Sequence, residues 1–449
     1  MKAEIKPTLK IAAPLILGNI TQMALGLIDT AMVGSIDYKQ LAAGALVTNV
    51  LAIPLILGIG LTTAMTPLIA IANGQKDKWS VSHYLFNGVF LCTLASVFIA
   101  IGIELAYPLL HMMGQDPEVT ALAIPYMKVV GWSTIPMIFF LSMKQFCDAL
   151  EHTKVAMTLS VLSLPIDTFL NWVFIFGKLG VPRMELYGAG VTTLITRILI
   201  SVALMVVIYR SAKFQEFISI RKSAWKIKWN AIVQLLKIGI PSSLQYGLEV
   251  GAFSISGIII GWFGATQQAA HQIALNIASL TFMIIMGIST AGSIRVSNAL
   301  GRNQIGQMRN IGYSTIALGA GFGICFALFF IVFHQYLPYV FNQQTEVVAL
   351  AAHLLIFAAI FQISDATQAV GVGLLRGIKD VQVPTICVVI AYWVIGLPLG
   401  YFLGVRFDMK ATGMWIGLVL GLSASSVLLN LRFHFRSKKI EEQQHPLPR

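Results

Sequence analysis

The residues best suited to chemistry in this sequence are four acidic side chains that fall well inside long apolar stretches. These are Asp29, Asp167, Glu249 and Asp365. An ionisable group at the centre of a bilayer costs about 2.5–3.5 kcal/mol on insertion scales, so it normally faces a cavity or a partner and marks an ion or substrate path. The four acids are therefore predicted to bind and release a coupling cation.

Asp167 and Asn171 stand four residues apart, which places them on one face of a helix. Pro165 lies just before them and frees backbone carbonyl groups nearby. Together with Asp29 they could form an oxygen-rich site in the N-terminal half. Two neighbouring carboxyl groups do not readily ionise together, so such a pair can exchange a proton near neutral pH. The alternative is that each acid pairs with a buried base such as Arg197 or hydrogen-bonds to a neighbouring helix.

Glu249 and Asp365 form a second candidate pair, in the C-terminal half. They lie at similar depths in predicted spans that run in opposite directions. Oxygen-bearing neighbours suit either a proton or a hard cation, so Na⁺ could bind at Glu249 and Asp365. The structural alternative is a hydrogen-bonded clasp between helices. The polar neighbours are Gln245, Tyr246, Ser364 and Gln368.

Aromatic, methionine and amide side chains near these acids are candidates for the wall of a substrate cleft. Methionine and aromatic groups adapt to ligands of varied shape. In a membrane bundle, however, most such residues face lipid or the protein core. The candidate cleft residues are Gln245, Tyr246, Phe282, Met283, Met286, Phe361 and Gln362.

The elements that must position these residues are transmembrane helices. The 449-residue chain is 57% hydrophobic and 11% charged, and its mean hydropathy is +0.78. A hydrocarbon layer of about 30 Å needs about 20 apolar residues in a helix, the only structure that lets runs of this length satisfy their backbone groups in lipid. The predicted spans cover residues 10–33, 46–72, 83–105, 123–147, 156–176, 188–209, 236–262, 272–297, 310–333, 348–372, 382–405 and 411–433.

Lysine and arginine concentrate in the N-terminal segment, in alternate loops and in the C-terminal tail. Short basic loops remain on the cytoplasmic side of a membrane. Both termini are therefore predicted to be cytoplasmic, in a multi-pass protein of the cell inner (plasma) membrane. The basic residues of the opposite loops are few: Lys39, Lys178, Arg183, Arg406 and Lys410.

The longest basic loop, residues 210–236, carries Trp225 and Trp229 among lysines. Tryptophan and lysine are typical of the membrane–water interface. We interpret this loop as an interfacial linker between two halves of the protein. The alternative is a lipid-sensing or regulatory site.

An internal repeat relates these two halves. Sliding the sequence by 227 residues aligns proline, asparagine and glycine positions that carry backbone geometry. Each repeat holds six spans, so both repeats begin on the same membrane face and are related by an axis along the membrane normal. The matches include Leu9 with Leu236, Lys10 with Lys237, Pro14 with Pro241, Asn49 with Asn276, Gly60 with Gly287 and Gly74 with Gly301.

The repeat predicts an all-α integral membrane protein built from two pseudo-symmetric six-helix bundles. The N-terminal lobe is expected over residues 1–212 and the C-terminal lobe over residues 236–433. A cytoplasmic linker, residues 213–235, joins them, and a cytoplasmic tail follows at residues 434–449. Two facing bundles form a central cleft that can open to either side in turn, which is alternating access. A channel or a membrane enzyme does not require such duplication.

Several function classes are excluded by what the sequence lacks. The four cysteines fall in separate apolar stretches without metal-ligand spacing, and no Walker motif is present. The sequence contains neither a nucleophile paired with a base nor a metal cluster, so nothing in it indicates an enzyme. No cofactor is expected, and an ion gradient must supply the energy. The net charge of +12 lies in short clusters between spans, which argues against a nucleic-acid partner. The cysteines are Cys92, Cys147, Cys325 and Cys387.

At several motifs the chain resembles the multidrug and toxic compound extrusion (MATE) family, in particular its bacterial NorM-like branch. The similarity extends over nearly the whole chain and is specific when the motifs are taken together. The motifs are Ala13-Pro14, Gly26–Gly34 around Asp29, Pro165–Trp172, Tyr246–Glu249, Ala269–Asn276, Ser293–Val296, Gln362–Asp365 and Leu375–Asp380.

The resemblance implies twelve helices in a V of two bundles. It also implies export of cationic or amphipathic drugs in exchange for H⁺ or Na⁺. The protein is expected to be a monomer among membrane lipids. Asp29 is similar to the family's N-lobe coupling acid, and Glu249 and Asp365 are similar to its C-lobe cation-site acids. Asp167 and Asn171 occupy polar positions where relatives have Asn or Asp.

One departure from the family pattern bears on the coupling ion. Some sodium-coupled relatives have a tyrosine one turn before the tenth-span acid, and this chain has Phe361 there. The missing hydroxyl weakens the case for Na⁺ in the C-terminal half, and Asp167 favours protons, but the choice between the two ions stays open. The alternative function is a flippase for lipid-linked precursors, which would favour a basic cleft.

Overall fold

The computed structural model describes residues 2–444, and the described chain is α-helical. Twelve helices or composite helices are long and apolar enough to cross a membrane, which confirms the twelve predicted spans. A helix suits such stretches because it satisfies each backbone N–H and C=O within its own segment. The first helices are α1 Lys2–Gly34, α2 Tyr38–Thr62, α3 Met65–Gly74, α4 Lys78–Ala106, α5 Leu109–Met112, α6 Pro117–Ala149, α7 Thr153–Phe176, α8 Glu185–Arg210, α9 Ala212–Ile218 and α10 Arg221–Ala224.

Most of the remaining long helices extend beyond the predicted apolar runs at one or both ends, because polar end turns stay helical outside the hydrocarbon. The predicted tail is helical as far as Gln444, and residues 445–449 lie outside the described part. These helices are α11 Trp229–Gly261, α12 Ala265–Gly301, α13 Ile305–Phe333, α14 Thr345–Gly377, α15 Gln382–Val389, α16 Leu397–Tyr401 and α17 Lys410–Gln444, with a 3₁₀ turn at Leu337–Val340 and π-helical stretches at Ile390–Gly396 and Phe402–Arg406.

The second predicted span is divided into two helices. α2 ends at Thr62, and α3 begins three residues later. The hydroxyls of Thr62 and Thr63 donate to the carbonyls of Ile59 and Gly60, both at 2.7 Å. Such side-chain bonds compete with the helical backbone ladder and favour a break. The apolar run alone carries no sign of this division.

The described chain packs as two units. Residues 17–243 form one, which we call the N-terminal unit. The residues up to Ile16 and those from Leu244 onward form the other, the C-terminal unit. The predicted lobe borders at residues 212 and 236 lie elsewhere in the chain, and the lobes so defined remain a prediction.

The borders of the two packing units are separated by the same offset as the internal repeat. Ile16 and Ser243, the last residues before each border, are 227 positions apart. In the N-terminal unit Gly60 approaches Ser243 so closely that an added Cβ would stand 2.4 Å from its Cα. In the C-terminal unit the repeat partner Gly287 approaches Ile16, where an added Cβ would stand 2.9 Å from its backbone nitrogen. The first half of α1 therefore packs with the C-terminal unit, and the first half of α11 packs with the N-terminal unit.

Each unit has its own apolar core. Leu51 and Met127 are almost fully buried in the N-terminal unit, and Phe330 and Trp415 in the C-terminal unit. Close packing of this kind leaves few rotamers open, so the helices hold their polar side chains in fixed places.

The segment between α8 and α11, residues 211–228, is folded onto the N-terminal unit, and we call it the strap. It contains α9 and α10 and covers most of the predicted linker. Phe214 and Phe217 are buried beneath it and pack on Phe146, with ring centroids 5.6 and 6.1 Å away. The strap is therefore an ordered element of one unit.

Candidate functional site

The acids of the N-terminal unit meet around one amide. Asn171 Nδ2 on α7 donates to Asp29 Oδ1 on α1 at 2.6 Å and to Asp167 Oδ2, one turn earlier on α7, at 3.1 Å. The Asp29 and Asp167 carboxyl groups also lie beside each other. The structure thus brings Asp29 together with a pair of side chains on α7, one of which, Asn171, lies 142 residues later in the sequence.

Burial gives this cluster its chemical character. Asp167 is 4% exposed and Asn171 is fully buried, whereas Asp29 is half-buried. A buried carboxylate is costly unless it is hydrogen-bonded or paired with a charge, and one amide supplies a donor to both acids. Because two adjacent carboxylates repel each other, one proton shared between them relieves the repulsion. The cluster can therefore take up and release a cation at Asp29, its most exposed member.

Arg197 on α8 is the basic group of this region. Its Nη1 donates to Ser133 Oγ at 2.7 Å, and its charge acts on both Asp29 and Asp167. Within residues 2–444 it forms no direct ion pair with either acid. The acids are thus held by Asn171 and not by a buried base, and Arg197 compensates part of their charge from a distance.

Asp29 also lines a cavity within the N-terminal unit. The cavity has a volume of about 250 Å³. Thr48, Asn49 and Tyr126 contribute polar groups to its wall, and Leu186 contributes apolar surface. A small organic cation or several waters can reach the carboxyl group through such a space. The sequence contains no signal for the polar residues of this wall, because the side chains of Tyr126, Thr48 and Asn49 are uncharged.

The acids of the C-terminal unit are arranged around a tyrosine. Tyr392 Oη donates to Glu249 Oε1 at 3.2 Å. Trp393, the next residue, donates from Nε1 to the Leu248 carbonyl at 3.0 Å. Two neighbouring side chains thus fix α11 at the level of Glu249, which positions this carboxyl group.

Asp365 on α14 is 4% exposed, and Glu249 is the charged group that acts on it most. The side chain of Gln368 lies beside Glu249. Tyr392 feels the charge of both acids. Glu249 thus receives a hydroxyl donor from Tyr392, on a different helical segment from Phe361.

The π-helical stretch at Ile390–Gly396 explains how Tyr392 reaches this place. Pro398 has no N–H, and a proline ring clashes with the carbonyl four residues earlier, so the helix before it widens. The Leu397 N–H accordingly bonds to the Tyr392 carbonyl, five residues back. Sequence reasoning missed Tyr392 and Trp393, and Pro398 was the only local signal for them.

Tyr246, a predicted cleft residue, is held by Arg376. Arg376 Nη1 donates to Tyr246 Oη at 3.0 Å, and the guanidinium lies 5.1 Å from the ring centroid. The tyrosine is therefore fixed by both a hydrogen bond and a cation–π contact. Arg376 was placed in a loop by the apolar runs, and the structure includes it in α14.

The other predicted cleft residues lie in or near the core of the C-terminal unit. Gln245, Phe361 and Gln362 are buried. Phe361 packs edge-on against Phe253 and Trp415, with ring centroids 5.9 and 6.0 Å away. Gln362 Oε1 accepts from the Thr281 hydroxyl at 2.9 Å. The half-buried members are Phe282, Met283 and Met286.

Gln245, Phe361 and Gln362 belong to the C-terminal unit and are not among the residues that line the cavity beside Asp29. Their role in substrate binding therefore stays a prediction. The same holds for Phe282, whose ring packs against the core of the C-terminal unit.

Comparison with known proteins accounts for this arrangement. The sequence model of the MatE family matches the chain twice, at residues 14–173 and 241–402. The second match begins 227 residues after the first, which is the offset of the internal repeat. The chain belongs to the MatE family.

Curated relatives place the chain among the multidrug efflux transporters of this family. It is 32% identical to the multidrug resistance protein MdtK of Yersinia enterocolitica, covering 97% of this chain and 96% of the relative. It is also 32% identical to the multidrug resistance protein NorM of Aliivibrio fischeri, covering 96% of this chain and 94% of the relative. The family resemblance seen in the sequence is confirmed.

Solved structures share the fold. The eukaryotic MATE transporter AtDTX14 aligns over 98% of this chain and 99% of its own, with a TM-score of 0.87 and 22% identity. An outward-facing multidrug resistance MATE family transporter of the MOP superfamily aligns over 98% and 97%, with a TM-score of 0.89 and 20% identity. The predicted all-α membrane fold is thereby confirmed.

Proposed function

We propose that this chain is a secondary antiporter that exports cationic or amphipathic organic compounds in exchange for an inward cation, by alternating access. The observation that carries the proposal is the Asp29–Asn171–Asp167 cluster, which borders a cavity large enough for a small organic group. A cation and a drug that favour different states of one transporter are coupled by that difference alone.

The coupling ion at this cluster is proposed to be H⁺. Asn171 offers its N–H, not its carbonyl oxygen, to both acids, and an N–H donor stabilises carboxylates between proton transfers. Na⁺ is the alternative, because a hard cation would use the carboxylate oxygens of Asp29 and Asp167, or of Glu249 and Asp365.

The substrate class is proposed from two features. The relatives MdtK and NorM are named multidrug resistance proteins. Asp29 offers a negative charge on the cavity wall beside the apolar side chain of Leu186, which suits a positively charged amphipathic compound. A flippase for anionic lipid-linked precursors would instead need an exposed basic wall. Arg197 does not offer one, because its guanidinium donates to Ser133.

The proposal includes an orientation. Most lysines and arginines lie in the termini and alternate loops. This distribution supports an inner-membrane protein with both termini in the cytoplasm. We propose that it acts as a monomer surrounded by membrane lipid.

Dye efflux from proteoliposomes tests the function when Na⁺ and pH gradients are imposed separately. We expect efflux of a cationic dye with a pH gradient alone and none in Asp29→Asn. Efflux driven only by Na⁺ would transfer the coupling role to that ion. Efflux in the variant at the wild-type rate would remove Asp29 from the mechanism.

A further inference from the structure

The strap presents a basic and apolar outer face that the transport mechanism does not use. Lys226, Ile227 and Lys228 end the strap, Trp229 follows as the first residue of α11, and all four side chains are exposed. Ile227 is 57% exposed and Trp229 is 71% exposed. Two large apolar groups alternating with two lysines are unfavourable in plain water.

This exposure is imposed by the fold. Asn87 on α4 donates from Nδ2 to the Lys226 carbonyl at 3.1 Å and accepts from the Lys228 N–H at 3.1 Å. His83 Nδ1 bonds to the Ala224 carbonyl at 2.8 Å. The Trp225 indole donates to Ser82 Oγ at 3.0 Å. Side chains of α4 thus hold the backbone of the strap from its inner side.

The inner side is also closed by rings. Trp225 stacks on Phe86 with the centroids 5.5 Å apart. Lys228 Nζ lies 5.0 Å from the centroid of the Trp79 ring of α4, which holds this lysine at the surface. The side chains exposed beside it are those of Lys226, Ile227 and Trp229.

The charge of this face is largely uncompensated. Glu216, the only acid of the strap, is paired with Lys78 at 2.8 Å. In the described part of the chain no ion pair neutralises Lys222, Lys226 or Lys228. The strap therefore carries a net positive face next to the start of α11.

We propose that this face, Lys226–Trp229, binds anionic phospholipid headgroups of the adjoining leaflet. Lysine ammonium groups pair with lipid phosphates, while tryptophan and isoleucine enter the boundary between headgroups and acyl chains. Each lysine near an anionic surface strengthens attraction by roughly fivefold, so the two lysines together account for about thirtyfold in affinity. The same contact fixes the start of α11 at the membrane surface.

The test uses the full-length protein in nanodiscs of phosphatidylcholine with increasing amounts of phosphatidylglycerol. The chain has eight tryptophans, so quenching is measured as the difference between wild type and Trp229→Phe. The probes are phosphatidylglycerol and phosphatidylcholine brominated close to the headgroup. We expect stronger Trp229 quenching by the anionic probe, weakened by salt because the charges are exposed.

The decisive variant is Lys226→Gln/Lys228→Gln. It should lose most of the excess quenching by the anionic probe at every phosphatidylglycerol content, because the two lysines account for about thirtyfold in affinity. The matched control is Lys178→Gln/Lys410→Gln, which removes two exposed lysines outside this face and should keep the wild-type response.

Equal quenching of Trp229 by the two brominated lipids would overturn the proposal. An equal loss in the control and the decisive variant would overturn it as well, because the effect would then reflect net charge alone. The readout is lipid contact, so the result is independent of whether the protein transports drugs.

Discussion

Replacing Asn171 with alanine isolates the group that holds the two acids of the N-terminal unit together. The change removes both donations from Nδ2, at 2.6 Å to Asp29 and at 3.1 Å to Asp167. It leaves both carboxyl groups in the chain. Any loss of efflux then reports the organisation of the site and not the number of its acids.

The size of the effect follows from these contacts. A hydrogen bond to a charged group contributes about 1.5–3 kcal/mol. Water in the cavity beside Asp29 can replace part of that contact, whereas Asp167 is buried and keeps only the Asp29 carboxyl group and the Thr196 hydroxyl beside it. A net loss of about 2 kcal/mol corresponds to a roughly thirtyfold decrease in efflux rate.

The assay is dye efflux from proteoliposomes under a fixed pH gradient, with protein amount and folding checked by size-exclusion chromatography. Asn230→Ala, an exposed asparagine at the start of α11, is the control and should remain at the wild-type rate. Efflux by Asn171→Ala within threefold of wild type would refute the reasoning.

Three further outcomes follow from the structure. Gly60→Ala should destabilise the protein by about 1–3 kcal/mol, because the new Cβ meets the Ser243 backbone; thermal unfolding in detergent measures this. Tyr392→Phe removes the donor to Glu249 and should lower efflux about tenfold, read in the dye assay. Burial lowers the pKa of His152, in the loop after α6, so the stability that its neutral form contributes should be lost as the pH falls below about 6.5, and melting at pH 5 and 7.5 reports it.

Controls separate these effects from general damage. Gly18→Ala has open space around the new Cβ and should be neutral or stabilise by up to about 1 kcal/mol through helix propensity. Tyr401→Phe changes an exposed tyrosine and should leave efflux intact. His152→Gln should show a smaller difference between the two pH values than wild type. A Gly60 variant as stable as wild type, an active Tyr392→Phe, or an unchanged pH difference in His152→Gln would each contradict its prediction.

The apolar runs were sufficient to place all twelve spans, because the thickness of the hydrocarbon layer dictates helix length. The four-residue spacing of Asp167 and Asn171 placed them on one helix face, and the structure brings Asp29 to that face. The repeat offset of 227 residues recurs at the borders of the packing units, at Ile16 and Ser243. These features depend on local periodicity and on duplication, which a sequence displays directly.

Other features could not be read from local patterns. The packing partner of the first half of α11 depends on the close approach of Gly60 to Ser243. These residues are far apart in the chain, and neither has a side chain that signals the contact. Tyr392 reaches Glu249 because a π-helical stretch changes the direction of its side chain. The strap was interpreted as an interfacial linker. Its order comes from hydrogen bonds of Asn87, a residue of an apolar helix for which the sequence gives no sign of this role.

The central claim is that organic substrate and proton exchange through the Asp29 cluster. Proton release from purified protein in weakly buffered detergent solution tests it most directly, when an organic cation is added and the pH is followed. The account predicts release of protons by wild type on substrate addition and none by Asp29→Asn, although Asp167 remains. Substrate binding without proton release in wild type, or release of the same size from the variant, would contradict it.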